Sequence, residues 1–297
     1  MEKYDYLIAG GGPAGAVTAF CLQKKGFRCL IVEKRNKIDE KICGGLLSWK
    51  GVAALSQIGL NPLELLEYGA TVIRSFTYIR NGQTTVYRYN SGECGLGVRR
   101  QLLDQWLLDN AVSNGTDVKM GVSLKQVIQD NELLKLSDNF AKHLVIATGA
   151  ACYPETVRAE QSFGLSVQIT GSTNLMYDSV YFFMIGGNGP DYVWAIPNGE
   201  GIWNIGIWFQ KLPDDPITQF YSNYHSVLEQ YFTDVTFIRQ VRGAFCGNVR
   251  TPVSPIADCT LVGDAAGTND YNTGEGLSQA IESAIRLSEK MTFKVPL

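Results

Sequence analysis

The sequence predicts an α/β fold: a parallel-sheet part built from both ends of the chain, with an antiparallel β-sheet part inserted in the middle. Three observations predict it. A buried strand, a glycine-rich turn and a helix follow one another from Tyr4 to about Lys25, the opening of a strand–helix–strand unit. A second strand, glycine turn and helix run from Cys259 to about Met291. Between them, from about Phe163 to Phe245, strands rich in Tyr, Phe and Trp dominate, as in antiparallel sheets.

Composition narrows the function classes. The chain has 297 residues, 45% hydrophobic and 19% charged, enough apolar material for a sizeable core and against wholesale disorder. Its 26 basic and 29 acidic residues give a net charge of −3, unlike a strongly basic nucleic-acid binder. Seven cysteines without a C-x-x-C pair and two distant histidines, His143 and His225, argue against a disulfide scaffold and against a metal site. The reading is a reduced, cytoplasmic protein. The uncharged run Leu7 to Leu22 imitates a signal-peptide core. However, Met1 to Asp5 is not a positive flank, and Gly10 to Gly12 break an apolar helix, so export is rejected. No run of 18 apolar residues occurs, so at most peripheral membrane association is expected.

The elements read in order as follows. Tyr4 to Ala9 is a strand and Gly10 to Gly15 turns into a helix. Phe27 to Val32 is a second strand ending at Glu33. Leu46 to Ile58 reads as helix, and Thr71 to Tyr78 with Thr84 to Tyr89 as a hairpin turning at Asn81-Gly82. Arg99 to Ser113 is an amphipathic helix with Leu102, Leu103, Trp106, Leu107 and Ala111 on one stripe. Leu144 to Ala147 is a short buried strand, and Ile217 to Tyr231 is the helix of the middle region. The expected division is a nucleotide-binding domain of residues 1–70, 96–150 and 251–297, and a substrate domain of residues 71–95 and 151–250.

Gly10, Gly12 and Gly15 satisfy G-x-G-x-x-G between a strand and a helix, a Rossmann-like dinucleotide fingerprint. Gly10 permits the tight turn, Gly12 the approach of a pyrophosphate and Gly15 close helix–strand packing. The helix start offers free N–H groups and a positive dipole end to phosphate. Glu33 stands 23 residues after Gly10, where an acid binds a ribose hydroxyl. The motif alone leaves NAD and FAD open.

Distant residues decide between them by resemblance. Val262-Gly263-Asp264-Ala265-Ala266-Gly267, with Thr273-Gly274-Glu275-Gly276 before the last helix, resembles the G-D segment of the flavoprotein group that includes para-hydroxybenzoate hydroxylase. Ala147-Thr148-Gly149-Ala150 and Arg100-Gln101-Leu102-Leu103-Asp104 resemble that group's A-T-G and R-x-x-F-D segments. Lys41-Ile42-Cys43-Gly44-Gly45-Leu46-Leu47-Ser48, Tyr192-Val193-Trp194-Ala195-Ile196-Pro197 and Asn204-Ile205-Gly206 look like segments of the geranylgeranyl reductases. The resemblance implies a Rossmann-like FAD-binding domain with an inserted antiparallel β-sheet substrate domain. It implies FAD held by Gly10, Gly12, Pro13, Ala14, Gly15, Glu33, Arg35, Cys43, Gly44, Arg100, Leu124, Thr148, Gly149, Gly263, Asp264, Gly274, Gly276 and Leu277.

For chemistry, the resemblance implies hydride transfer from the flavin to a carbon–carbon double bond of an apolar, isoprenoid substrate, with Cys43, Tyr271 or water as proton donor. Tyr271 replaces the proline of the family's N-P-x-T-G-E-G turn. Tyr192 and Trp194 share one side of a strand and, with Pro197, are expected to bind substrate or to fill a sheet interface. Electrons would come from transient NAD(P)H or from a reduced protein carrier. The resemblance implies a longer stretch after Gly276 than the about 20 residues present. A monooxygenase, a halogenase (whose W-x-W-x-I-P segment lacks its first Trp here) and a non-catalytic flavin-binding redox protein are the alternatives.

Overall fold

The computed structural model describes residues 2–130, 133–136, 138–152, 161–185, 192–246, 259–270 and 273–292. Three sheets organise them. In the first, β1 (Glu2–Ala9) is flanked by β2 (Cys29–Glu33) and β11 (Asn139–Ile146), both parallel to it. β8 (Asp117–Met120) extends this sheet beyond β2, and β18 (Thr260–Leu261) pairs with the end of β11. β9 (Ile128–Asp130) and β10 (Leu133–Leu136) add an antiparallel flap. The central strands are apolar along both faces because both are covered. Tyr6, Ile8 and Ile31 meet α1 (Pro13–Lys24), α3 (Arg100–Ser113) and the last helix, α5 (Leu277–Glu289), while Leu7, Leu30 and Leu144 face the opposite cluster.

The second sheet runs β16, β12, β15, β14, β13, β5, β6, with β17 also on β12. Its strands are β5 (Ser75–Arg80), β6 (Gln83–Arg88), β12 (Phe163–Thr173), β13 (Ser179–Met184), β14 (Tyr192–Pro197), β15 (Trp203–Phe209), β16 (Phe232–Phe237) and β17 (Arg242–Phe245). All its pairings are antiparallel except β13 with β5. The predicted hairpin turn is present: Asn81 and Gly82 have φ of 51° and 76°, the left-handed pair that a two-residue hairpin favours. Side chains alternate between faces. Leu165, Val167, Tyr181, Phe183, Val193, Ile205 and Ile207 pack with Phe220, Tyr224 and Leu228. Phe76, Tyr78, Phe182, Tyr192, Trp194 and Trp208 point to the opposite side, toward the first sheet.

Several boundaries differ from the sequence expectation. The predicted helix from Leu46 begins only at Trp49, as α2 (Trp49–Gln57), because Leu46–Leu47 form β3. The predicted strand from Thr71 splits. Thr71–Ile73 is β4, which joins β3 on β7 (Gly95–Gly97) in a third sheet, and only Ser75 onward enters the hairpin. The second strand starts at Cys29 rather than Phe27. The middle helix is α4 (Pro216–Asn223), followed by a wider turn over Tyr224–Leu228. On α3, Leu103, Trp106, Leu107 and Ala111 are buried and Leu102 is half-buried, but Asp104 is buried too. No helix of the described residues is long and apolar enough to cross a membrane.

Candidate active site

The site is built where β1, β2 and β11 end. Gly10 turns with φ of 114°, and a Cβ there would lie 2.3 Å from the Ala147 carbonyl oxygen. A Cβ on Gly15 would lie 1.9 Å from the Gly10 carbonyl oxygen, so two glycines allow α1 to start directly on the strand end. Gly12 caps α1, Pro13 opens it, and no side chain caps it and no acid stands in its first turn. Its first N–H groups are therefore available to an anion.

Glu33 is buried at the end of β2. Its Oε2 accepts from Gly11 N–H at 2.9 Å, and its Oε1 accepts from the Arg35 N–H at 3.1 Å and from Arg35 Nε at 2.9 Å. Burial raises its pKa, but the Arg35 and Gly11 hydrogen bonds and the Arg35 charge outweigh that and hold the carboxyl below its ordinary range.

Arg100 and Lys41 converge on one carboxylate. Asp104, fully buried, accepts from Arg100 Nε at 3.0 Å and Nη2 at 2.9 Å, and lies 2.8 Å from Lys41 Nζ. Glu40 caps α3 by accepting the Arg100 N–H at 2.8 Å. The Cys43 side chain stands beside the Arg100 guanidinium, and its Sγ accepts from the Gly45 N–H at 3.5 Å. Burial raises the Asp104 pKa, and the two cations more than reverse it.

The loop carrying Cys43 and Gly44 is stapled to the second sheet. Asn204 Nδ2 donates to the Cys43 carbonyl at 2.9 Å and Asn198 Nδ2 to the Gly44 carbonyl at 3.1 Å. Asn204 Oδ1 accepts from Trp194 Nε1 at 2.8 Å. The indole lies across Gly206, where a Cβ would fall 2.0 Å from Trp194 Cζ2. The Asn204 amide thus joins the two motifs: it sets the Trp194 indole and holds the Cys43 loop.

The aromatic face continues from there. Tyr192 stacks on Trp208 at 5.6 Å and meets Phe182 edge-on at 5.2 Å, and Phe182 stacks on Tyr78 at 5.2 Å. The Tyr192 hydroxyl donates to the Thr273 carbonyl at 2.5 Å, tying the sheet to the turn before α5. Burial keeps the Tyr192 phenol protonated well above the usual tyrosine range. A Cβ on Gly276, the cap of α5, would lie 3.2 Å from Asp264 Oδ1 and 2.6 Å from Asn269 Nδ2.

These pieces enclose one cavity of about 1510 Å³, larger than the ~300–1,000 Å³ of ordinary small-ligand sites. Gly10, Gly12, Pro13, Ala14, Glu33, Arg35, Cys43, Gly44, Arg100, Leu124, Thr148, Gly149, Asp264, Gly274, Gly276, Leu277, Tyr192 and Trp194 all line it. Gly15 and Gly263 do not; each is a packing position, Gly15 against Gly10 and Gly263 against Ala14 and Ala280. Pro197 also lies off it, because it falls on the odd-numbered side of β14, with its carbonyl against Gly97. Tyr271 lies outside the described residues. His143 is exposed on β11 beside the Tyr6 ring, and His225 is exposed and pairs with Glu229.

Sequence reading passed over Phe76, Tyr78, Lys41 and Cys246, all on the cavity wall. Phe76 and Tyr78 had a signal, the period-2 pattern of β5. Burial, with the Asp264 charge second, pushes the Cys246 thiol up to about 12. Thr148 Oγ1 and Asn269 Oδ1 are buried on the wall without a hydrogen-bond partner. Together with the glycine cradle and the N-terminus of α1, they fit an extended dinucleotide.

Comparison with known proteins agrees. The family described as "FAD binding domain" matches residues 3–136. The chain is 25% identical, over 97% of its length and 74% of the relative's, to digeranylgeranylglycerophospholipid reductase 1 of Methanococcoides burtonii. It is 26% identical, over 96% of its length and 77% of the relative's, to digeranylgeranylglycerophospholipid reductase of Thermoplasma acidophilum. In fold it is similar to a geranylgeranyl bacteriochlorophyll reductase-like protein from Thermoplasma acidophilum, with a TM-score of 0.78, 22% identity and coverage of 97% and 78% of the two chains. It is also similar to a flavin-dependent brominase, with a TM-score of 0.77, 19% identity and the same coverage.

Proposed function

We propose that the chain is an FAD-dependent oxidoreductase that reduces a carbon–carbon double bond of an apolar, isoprenoid-type substrate. The observation that carries it is a single cavity joining the glycine cradle of α1 to an aromatic wall on the second sheet. Gly12, Arg100 and the α1 N-terminus would hold the diphosphate, Glu33 and Leu124 the adenosine end, and Asp264 and Gly276 the flavin end. When bound, FAD supplies the hydride-transfer chemistry. The wall of Phe76, Tyr78, Phe182, Tyr192, Trp194 and Trp208 excludes water and offers flat apolar contact. Cys43, facing the same space, is the candidate to deliver a proton, with Tyr271 the second candidate; both assignments rest on the resemblance of their segments.

The names of the relatives in the comparison support reduction over oxygenation or halogenation. We propose NAD(P)H or a reduced protein carrier as electron source and the cytoplasm as location. The test is direct. Purified protein should release FAD rather than FMN on heating, and the reduced enzyme should consume an isoprenoid substrate anaerobically. Recovery of FMN alone, or substrate turnover only with stoichiometric oxygen uptake, would overturn the reading.

A further inference from the structure

Two half-buried cations and one buried carboxylate stand beside the start of α1. Lys41 Nζ lies 2.8 Å from Asp104 and only 2.7 Å from where a Cβ on Gly12 would be. Asp104 is shared with Arg100, which grips both its oxygens at 3.0 and 3.1 Å. The neighbouring acid, Glu40, is engaged with backbone N–H groups of α3. The Lys41 and Arg100 side chains therefore share one carboxylate between them.

The Lys41 ammonium sits at a helix N-terminus, whose own dipole is positive and which has no acid in its first turn. A cation in this place works against the helix unless an anion joins them. Lys41 is 30% exposed, on the cavity side, while Asp104 behind it is fully buried. Its ammonium has donors left over, since one carboxylate oxygen does not use all three.

We infer that Lys41 is a diphosphate-holding residue, kept against Gly12 by Asp104 and positioned to share the dinucleotide's phosphates with Arg100 and the α1 N–H groups. Asp104 is then a positioning residue, which fixes both cations without touching the ligand. Gly12 also acquires a second constraint: a side chain there would strike the Lys41 ammonium as well as the phosphates. The inference deepens the FAD reading above and rests on it for the identity of the ligand, though not for the anion site itself.

The test uses the full chain stripped of flavin, with ADP, adenosine and inorganic pyrophosphate as probes in isothermal titration. Lys41→Gln should weaken ADP and pyrophosphate about 10-fold or more, a charge-assisted bond's share, and make their affinity less sensitive to salt. Adenosine should bind unchanged, and Lys41→Arg should recover most of the loss. In wild-type protein, saturating ADP should slow acetylation of Lys41 at least ~10-fold, while exposed Lys50 is unaffected. This labelling decides the matter even where Lys41→Gln folds poorly. Equal ADP affinity in Lys41→Gln, or unprotected Lys41, overturns the inference while leaving FAD binding intact. A Lys41-dependent ADP or pyrophosphate site in a protein that purifies without FAD supports the clamp and removes the flavin reading instead.

Discussion

Asn204 offers a clean perturbation, because one buried amide serves two segments far apart in sequence. Its Oδ1 takes the Trp194 N–H and its Nδ2 holds the Cys43 carbonyl. Asn204→Ala leaves the indole N–H, on a ring only 7% exposed, without an acceptor, which costs about 1–3 kcal/mol. The Cys43 carbonyl is half-buried and loses less, so the expected total is about 2–4 kcal/mol. At ~2.1 cal/mol/K per residue, a chain of 297 residues should drop its Tm by about 3–6 °C. A Trp194→Phe background isolates the first contact, since Phe has no N–H to strand. There Asn204→Ala should cost about 1 kcal/mol less, a coupling read from a double-mutant cycle in urea. FAD titration of Asn204→Ala should show weaker binding, because the Cys43–Gly44 loop loses its staple. Additive single effects, with FAD affinity unchanged, would refute the claim that Trp194 and the Cys43 loop are linked through this amide.

Glu33→Gln tests the turn from its charge. The folded carboxyl lies below its ordinary value of 4.5, so its stabilisation is present above that value and is lost as pH falls through the lower folded one. The stability gap between wild type and Glu33→Gln should thus be full at pH 7 and close below about pH 4.5, measured by urea unfolding along a pH series; a pH-independent gap would contradict it. Tyr192→Phe removes only the hydroxyl that holds the Thr273 carbonyl and should cost about 0.5–1.5 kcal/mol, with a changed flavin absorbance band in loaded protein. Cys246, whose thiol is raised to about 12, should resist iodoacetamide at pH 8 by far more than the denatured chain, as mass spectrometry of its peptide would show. Gly15→Ala should fail to bind FAD or to fold, because its Cβ meets backbone rather than a movable side chain, and thermal unfolding with FAD titration would reveal a tolerated substitution.

What could be read from the sequence was mostly what short-range chemistry writes. The glycine turn, Glu33 at the end of its strand, Arg100 with Asp104 one helical turn on, and the Asn81-Gly82 hairpin each occupy a few consecutive residues and were found there. The split of the segment from Thr71 was not legible, because which sheet a strand joins depends on neighbours such as Gly97 that lie elsewhere in the chain. Pro197 belongs to the same motif as Tyr192 and Trp194, but its parity on β14 sets it one step out of phase with them. Lys41 read as part of a loop motif, since nothing local says that its ammonium will sit against Gly12. Asn204 carried a usable signal in its spacing from Trp194, but its second bond, to Cys43, joins segments that no periodicity connects.

The alternation of the second sheet has a consequence for how this protein can change. Odd-numbered positions of β14 and β15 are committed to the core beneath α4, while even-numbered ones meet the ligand space. A new substrate can therefore be accommodated by exchanging residues such as Phe76, Tyr78 or Phe182, none of them fully buried, without disturbing either the core beneath α4 or the glycine cradle on the other sheet. Selection for specificity and selection for folding act on interleaved but separate letters of the same strands. A library varied only at those three positions should retain FAD and thermal stability in most members, while their substrate preferences diverge.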